Sequence, residues 1–259
     1  MSTLRVTLVQ SRLQWRDPAQ NRAHLSALMR DAGPADLFVL PETFTTGFLA
    51  ELPGEQGGDE GEDGPTVAWL REEAASHDAA VCGSAVIRDG VGRRNRFLFA
   101  APDGTLHHYD KKHLFGFAGE HRRYVAGEER IVFDHAGWRI CPQVCYDLRF
   151  PAWCRVRDDY DVLIFVANWP APRIGAWDAL LRARAIENQC YVVAVNRVGE
   201  DGRGHAYPGH SAIYDPLGDM VVAPWGEEGC RSAAIDLGRV QDVRRDFPFA
   251  ADADAFTLT

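Results

Sequence analysis

Trp138-Arg139-Ile140-Cys141-Pro142-Gln143-Val144-Cys145-Tyr146-Asp147-Leu148-Arg149-Phe150-Pro151 is the stretch on which the fold turns. It opens with strand-forming residues and ends on Pro151, a residue suited to the start of a helix, so Cys145 falls at a strand-to-helix turn. A thiol there would lie near the partial positive charge of a helix N-terminus, which favours the thiolate. Two other reactive side chains follow strand-like runs: Glu42 after residues 37–41 and Lys111 after residues 106–110. A thiol, a carboxylate and an amine thus stand at three strand ends.

Outward from that stretch, the chain reads as βαβ units broken by antiparallel pairs. Residues 4–10 alternate as a strand. Asp17-Pro18 supplies an N-cap and a first-turn proline, and Ala23, Leu25, Leu28 and Met29 give a helix to about residue 31 its apolar face. After Gly33-Pro34, residues 37–40 form a short strand of the fully buried parallel kind. A second helix opens at Gly64-Pro65-Thr66, and residues 79–87 read as a strand. Pro102-Asp103-Gly104-Thr105 joins strands at 97–101 and 106–109 into a hairpin.

Residues 131–133 and 138–144 read as another strand pair, followed by a short helix over 149–157. A buried strand at 162–166 precedes a helix over 176–188, rich in Ala, Leu, Arg and Glu. Strands at 191–196, 211–214, 220–223 and 231–235 complete the pattern, and the tail to Thr259 shows no clear period. Mixed sheets with helices outside, in one domain spanning 1–259, are expected. The two βα-rich halves share no sequence repeat but are candidates for similar structure.

Composition removes several function classes. With 46% hydrophobic and 25% charged residues, the chain has an ordinary globular make-up. A net charge of −9, with arginine pairs scattered among acids and aromatics, argues against a nucleic-acid partner. No run approaches the roughly 20 apolar residues of a membrane span. The N-terminus runs straight into a strand without a signal-peptide core, which predicts a cytoplasmic protein whose six cysteines are free thiols. Residues 51–64, rich in Gly, Asp and Glu, read as a solvated loop without EF-hand spacing.

Among the reactive candidates, Cys141 lies inside its strand and reads as core. Glu42, flanked by apolar residues, is expected to be partly desolvated and suited to proton transfer near neutrality. Of Lys111 and Lys112, alternation along extended chain lets one point inward. Glu120 and His121 form a charged pair that also suits a surface turn. Cys141 and Cys145 are four apart, and no His-Glu-x-x-His or deaminase signature occurs, so zinc enzymes find no support. Gly-x-Ser-x-Gly, Gly-x-Gly-x-x-Gly and Walker loops are also missing.

Taken together, Leu40-Pro41-Glu42, the run from Tyr109 to Phe115 and the run from Cys145 to Pro151 resemble the nitrilase superfamily of carbon–nitrogen hydrolases. The likeness continues through Ala167-Asn168-Trp169-Pro170, Ala183-Arg184-Ala185-Ile186-Glu187-Asn188, Asn196-Arg197 and Gly209-His210-Ser211-Ala212-Ile213, covering nearly the whole chain. Gly119-Glu120-His121, Tyr207-Pro208-Gly209-His210-Ser211 and the tail around Asp246-Phe247-Pro248 are similar to the bacterial omega-amidase branch. The acidic stretch at 51–63 departs from the pattern by its length.

The resemblance implies an α/β fold, an αββα sandwich of two mixed sheets with helices on the outer faces. It implies a homodimer with no metal and no cofactor. It also implies a catalytic triad of Glu42, Lys111 and Cys145, with Glu120 as a second glutamate and Lys112 in solvent. The reaction implied is hydrolysis of the terminal amide of a small 2-oxo dicarboxylate monoamide such as 2-oxoglutaramate. For such a substrate the Tyr146 backbone N–H is the expected oxyanion donor. Arg149 and Arg173 are candidate carboxylate partners, and Phe117 and Trp169 candidate apolar walls. Rival readings are another amide, carbamoyl or nitrile activity of the same superfamily, or a catalytically silent thiol sensor.

Overall fold

The computed structural model describes residues 3–49, 60–157 and 159–258, so most of the acidic loop reading lies outside the described residues. The chain begins β1 (Thr3–Gln10), α1 (Pro18–Ala32), β2 (Leu37–Val39), α2 (Pro65–His77), β3 (Ala80–Arg88), β4 (Arg93–Ala100) and β5 (Leu106–Asp110). The expected cap of α1 is present, with Asp17 accepting the Gln20 N–H at 3.0 Å. Next come β6 (Phe133–His135), β7 (Trp138–Val144), α3 (Pro151–Cys154), β8 (Val162–Ala167), α4 (Ile174–Asn188) and β9 (Tyr191–Asn196). The chain continues with β10 (Val198–Glu200), β11 (Ala206–Pro208), β12 (Ala212–Tyr214), β13 (Met220–Val222), β14 (Gly229–Asp236) and α5 (Leu237–Asp246).

Two six-stranded sheets result, ordered β14-β1-β2-β3-β4-β5 and β13-β12-β9-β8-β7-β6. In the first, β1, β2 and β3 are parallel, and in the second β7, β8 and β9 are. Each parallel set carries antiparallel strands on both flanks. The halves are therefore alike in topology although unlike in sequence.

Strict alternation along the apolar strands explains the layering. Leu37 and Val39 of β2 join Val162, Ile164 and Val166 of β8 in the core between the sheets. Phe38 faces the other way, onto Leu25 and Met29 of α1 and Leu70 of α2. Leu163 and Phe165 likewise pack outward with Trp177 and Leu181 of α4. A strand buried on both faces must be apolar at every position, and each large side chain so buried stabilises by about 1.5–3 kcal/mol. The αββα sandwich follows.

Several local readings are corrected. Strand β4 begins at Arg93 rather than at residue 97, because its charged half pairs with β3 as far as Arg88. Strand β6 lies at Phe133–His135, later than expected, since Ala136 and Gly137 both take positive φ (50° and 81°) and close a two-residue hairpin. The helix expected at 149–157 instead starts as a 3₁₀ turn over Cys145–Arg149 and continues as the single turn of α3. Helix α5, capped by Asp236 onto the Gly238 N–H at 2.9 Å, lies within the tail read as aperiodic. It buries only Val240 and Val243, too few for a visible stripe. The β10–β11 hairpin was also unread. No helix among the described residues is long and apolar enough to cross a membrane.

Candidate active site

Glu42 just past β2, Lys111 just past β5 and Cys145 just past β7 line one cavity of about 370 Å³. Ligands of α/β proteins sit beyond the carboxyl ends of parallel strands, and this cavity lies where two such sets meet. Lys111 Nζ donates to Glu42 Oε1 at 2.9 Å and to both oxygens of Glu120 at 3.1 and 3.0 Å. Glu42 and Glu120 have no exposed surface, and Lys111 retains 1%. Glu42 Oε1 further accepts from Asn95 Nδ2 at 2.8 Å, and Glu42 Oε2 from the Asn168 N–H at 2.7 Å. The apolar setting expected for Glu42 is in fact a shell of donors. Glu120 is no surface turn: Asn95 Nδ2 reaches its Oε1 at 3.2 Å and the Phe115 N–H its Oε2 at 2.5 Å.

Two residues at the floor sit in left-handed backbone, Thr43 at φ 41° and Cys145 at φ 46°. Such positions cost about 1–3 kcal/mol each and persist where the surroundings over-determine them. Thr43 donates its N–H to Ser84 Oγ and accepts from Asn168 Nδ2 on Oγ1, both at 2.9 Å. Behind Cys145, buried Asp147 accepts the Val144 N–H at 3.0 Å and the Tyr109 hydroxyl at 2.9 Å on one oxygen. Its other oxygen accepts the His113 N–H at 2.9 Å and lies 2.7 Å from His113 Nδ1. The Cys145 turn and the lysine segment are thereby clamped together.

The electrostatics revise one expectation. Burial opposes the Lys111 charge, but Glu120 and Glu42 outweigh it and hold the ammonium well above the usual lysine range. Burial raises the Glu120 carboxyl, and Glu42 adds to this against the pull of Lys111. Desolvation, followed by Glu42, pushes the Cys145 thiol well above its ordinary value, with Lys111 pulling the other way. That direction runs against the helix-stabilised thiolate expected from the sequence, on a sulfur that is half-buried where it lines the cavity. The five-residue 3₁₀ turn behind it supplies too small a dipole to offset that desolvation.

The mouth is built differently. Arg149 lies over the Trp169 ring and Arg173 over the Phe115 ring, each 5.0 Å from the centroid. Among the described residues neither guanidinium is paired with a carboxylate. Trp169 is an apolar wall at 3% exposure, whereas Phe117 is 90% exposed and forms only the rim. The Tyr146 ring meets Phe115 edge-on at 5.0 Å. Its N–H belongs to the first turn of a helical segment, where donors have no intrahelical partner. Lys112 lies 5.3 Å over the Trp153 ring rather than free in solvent.

Sequence reasoning missed the cavity-lining Phe48, Phe115 and the wall from Gly204 to Tyr207, and Asn95, which donates to Glu42 and Glu120. It assigned no role to Asn168, which follows β8 as Glu42 follows β2 and was legible by that position.

Residues 5–245 match the carbon-nitrogen hydrolase family. The chain belongs to that family. This hydrolase is 48% identical to the omega-amidase YafV of Yersinia enterocolitica over the full length of both chains. It is 37% identical to the 2-oxoglutaramate amidase of Bacillus subtilis, over 86% of each. Its fold matches, at a TM-score of 0.96 and 48% identity over all of both chains, the crystal structure of XC1258 from Xanthomonas campestris. XC1258 is a CN-hydrolase superfamily protein with an arsenic adduct in its active site.

Proposed function

We propose that this hydrolase is an omega-amidase, acting as one domain and cleaving the terminal amide of a small 2-oxo dicarboxylate monoamide of the 2-oxoglutaramate type. The observation that carries the chemistry is the convergence of Glu42, Lys111 and Cys145 on one cavity floor. The full-length omega-amidase relative supports the substrate class.

An amide is a weak electrophile with a poor leaving group, so it needs an activated nucleophile, an oxyanion site and an acid. Cys145 Sγ attacks the amide carbon while its proton passes to Glu42. Burial and Glu42 itself favour the thiol form, so the sulfur needs this base to become nucleophilic. The oxyanion is held by the Lys111 ammonium and the Tyr146 N–H, where loss of one donor costs about 3 kcal/mol of barrier. Lys111 carries three donors, directed at Glu42 Oε1 and the two Glu120 oxygens, so it holds the substrate oxygen by sharing or releasing one of its two bonds to Glu120. Glu42 then protonates departing ammonia, leaving a thioester on Cys145. Next it takes a proton from the attacking water, and the acid leaves as Cys145 regains its proton.

At the mouth, Arg149 and Arg173 bind the distal carboxylate, a role supported by their position over aromatic rings with no acidic partner among the described residues. We place the protein in the cytoplasm, supported by six free thiols. We further propose a homodimer, supported by the exposed apolar residues Ile186, Leu217, Met220 and Val221.

Ammonia release from 2-oxoglutaramate, compared with glutamine, tests the function: preference for glutamine refutes it. Cys145→Ala must abolish turnover and the acyl adduct seen by mass spectrometry during turnover. Unchanged KM in both Arg149→Ala and Arg173→Ala removes the carboxylate assignment. Light scattering after size exclusion tests the dimer.

A further inference from the structure

We propose that Asn95 is a positioning residue for hydrolysis, its single amide nitrogen spacing Glu42 and Glu120 on either side of Lys111 and keeping both as acceptors. The inference rests on Glu42, Lys111 and Cys145 being the reacting groups.

Asn95 lies within β4 and is 1% exposed. Its Nδ2 carries two hydrogens, and two carboxylates receive them: Glu42 Oε1 at 2.8 Å and Glu120 Oε1 at 3.2 Å. Its backbone carbonyl accepts the Lys111 N–H at 3.0 Å. One neutral residue thus contacts all three charged members of the floor. The amide is planar, so the directions of its two N–H bonds are fixed together, and the carboxylates cannot drift independently.

Asn95 Oδ1 is buried and has no hydrogen-bond partner among the described residues. An orphaned buried acceptor is unfavourable, and an apolar side chain of similar shape would avoid it. The amide is retained here for its donors.

Two buried carboxylates sharing one lysine leave the cluster one negative charge in excess. Every donor to them therefore lowers the tendency to take up a proton. The groups around the pair are Lys111 beyond β5, Cys145 beyond β7, the Asn168 amide beyond β8, the Phe115 N–H and the phenol of Tyr207 in β11. None of these reaches both carboxylates except Lys111. Without Asn95, Glu42 is freer to leave the line between Cys145 and the substrate nitrogen, and the pair protonates at higher pH.

The test uses the full-length enzyme with Asn95→Leu, Asn95→Asp and Asn95→Ser, assayed for kcat and KM across pH. For the leucine variant kcat falls about 10- to 100-fold, as expected for losing donors to charged groups, while KM stays within about twofold. Its acid limb of kcat/KM moves up by about one pH unit. Asn95→Asp adds a third carboxyl and moves the limb further. Asn95→Ser, which keeps one donor, moves it less and carries the test if the leucine variant does not fold. A fall in kcat with an unmoved acid limb makes Asn95 merely structural and overturns the proposal, as does wild-type kcat. Cys145→Ala, run in parallel, separates this failure from failure of the reaction itself: turnover retained there sinks the nucleophile, whatever Asn95 does.

Discussion

The two sheets have the same topology and contribute opposite chemistry. Each runs three parallel strands outward from one end, and the residues just past the second strand face each other across the cavity. In the first sheet that residue region holds Glu42, and in the second Asn168, whose N–H and Nδ2 donate to Glu42 Oε2 and to the Glu42 carbonyl at 2.7 and 2.9 Å. Past the first parallel strand the second sheet carries Cys145, while the first carries Ser11. All the formal charge of the floor, on Glu42, Lys111 and Glu120, comes from the first half. The second half supplies the Cys145 sulfur and amide donors. The architecture fixes where strand ends meet, and residue identity alone decides which end does chemistry.

If the first half supplies the field, removing its cation has the largest effect. Lys111→Met leaves Glu42 and Glu120 buried with no counter-charge, and breaking a buried pair this way costs about 3–5 kcal/mol of stability. Turnover should fall by more than about 10³-fold with the proposed oxyanion donor gone. The sign with pH follows from Lys111 being raised: its stabilising contribution is present below the unfolded value of 10.5 and is lost as pH rises through the higher folded value. The stability gap to wild type should therefore persist to about pH 10, measured by denaturant unfolding. A gap that closes near neutrality would remove the buried ion pair from the account.

Glu42→Gln sharpens the same contrast. Turnover should drop about 10²- to 10⁴-fold, as for loss of a general base. The Cys145 thiol should nevertheless ionise more easily, since Glu42 is one of the groups raising it and Lys111 is left less opposed. Alkylation rate against pH reads this directly. An alkylation profile that did not move would mean the sulfur does not feel the first half.

Much of this division was legible in the sequence, and the reason is physical. A strand buried on both faces is continuously apolar, so residues 37–40 and 162–166 announced themselves, and Glu42 just past the first was easy to locate. Cys145 stood out at a strand-to-helix turn, whereas the choice of Lys111 over Lys112 came from the family resemblance. Glu120 was not readable from pattern, because its Gly-rich turn looks the same whether its carboxylate faces a lysine or water; only the family resemblance singled it out. Asn95 was hidden between arginines in a stretch that gave no strand signal, since polar side chains there pair with Asp89, Asp110 and Glu62. The short β10–β11 hairpin and polar α5 failed for a related reason: too few apolar contacts to write a period.

A smaller effect is expected where the second half only supports the first. Asn168→Ala removes the Nδ2 donors to the Glu42 carbonyl and to Thr43 Oγ1 but keeps the backbone N–H on Glu42 Oε2. Turnover should fall about 10- to 100-fold and stability by about 1–3 kcal/mol, the cost of leaving buried acceptors unpaired. Steady-state kinetics and thermal unfolding check both. A silent variant would reduce the second half's role to the nucleophile.

The smallest effect is predicted at Ser11, the hydroxyl standing where the other half has its thiol. Ser11 is buried, and its Oγ donates to the Arg12 carbonyl at 2.6 Å and lies 3.5 Å from Glu228 Oε1. On paper this is again a nucleophile beside a carboxylate. Glu228, however, already accepts the Arg12 N–H at 2.7 Å and pairs with His24 Nε2 at 2.8 Å. Burial tends to raise its carboxyl, but those hydrogen bonds win and hold it below the usual range, which makes it a poor base. Ser11 has no ammonium like Lys111 nearby, and it does not line the cavity that Cys145 lines. Ser11→Ala should therefore leave turnover within about twofold of wild type while costing about 1 kcal/mol of stability for the lost hydrogen bond. A large loss of turnover in a folded Ser11→Ala variant would mean that the two halves are coupled in catalysis rather than merely alike in shape.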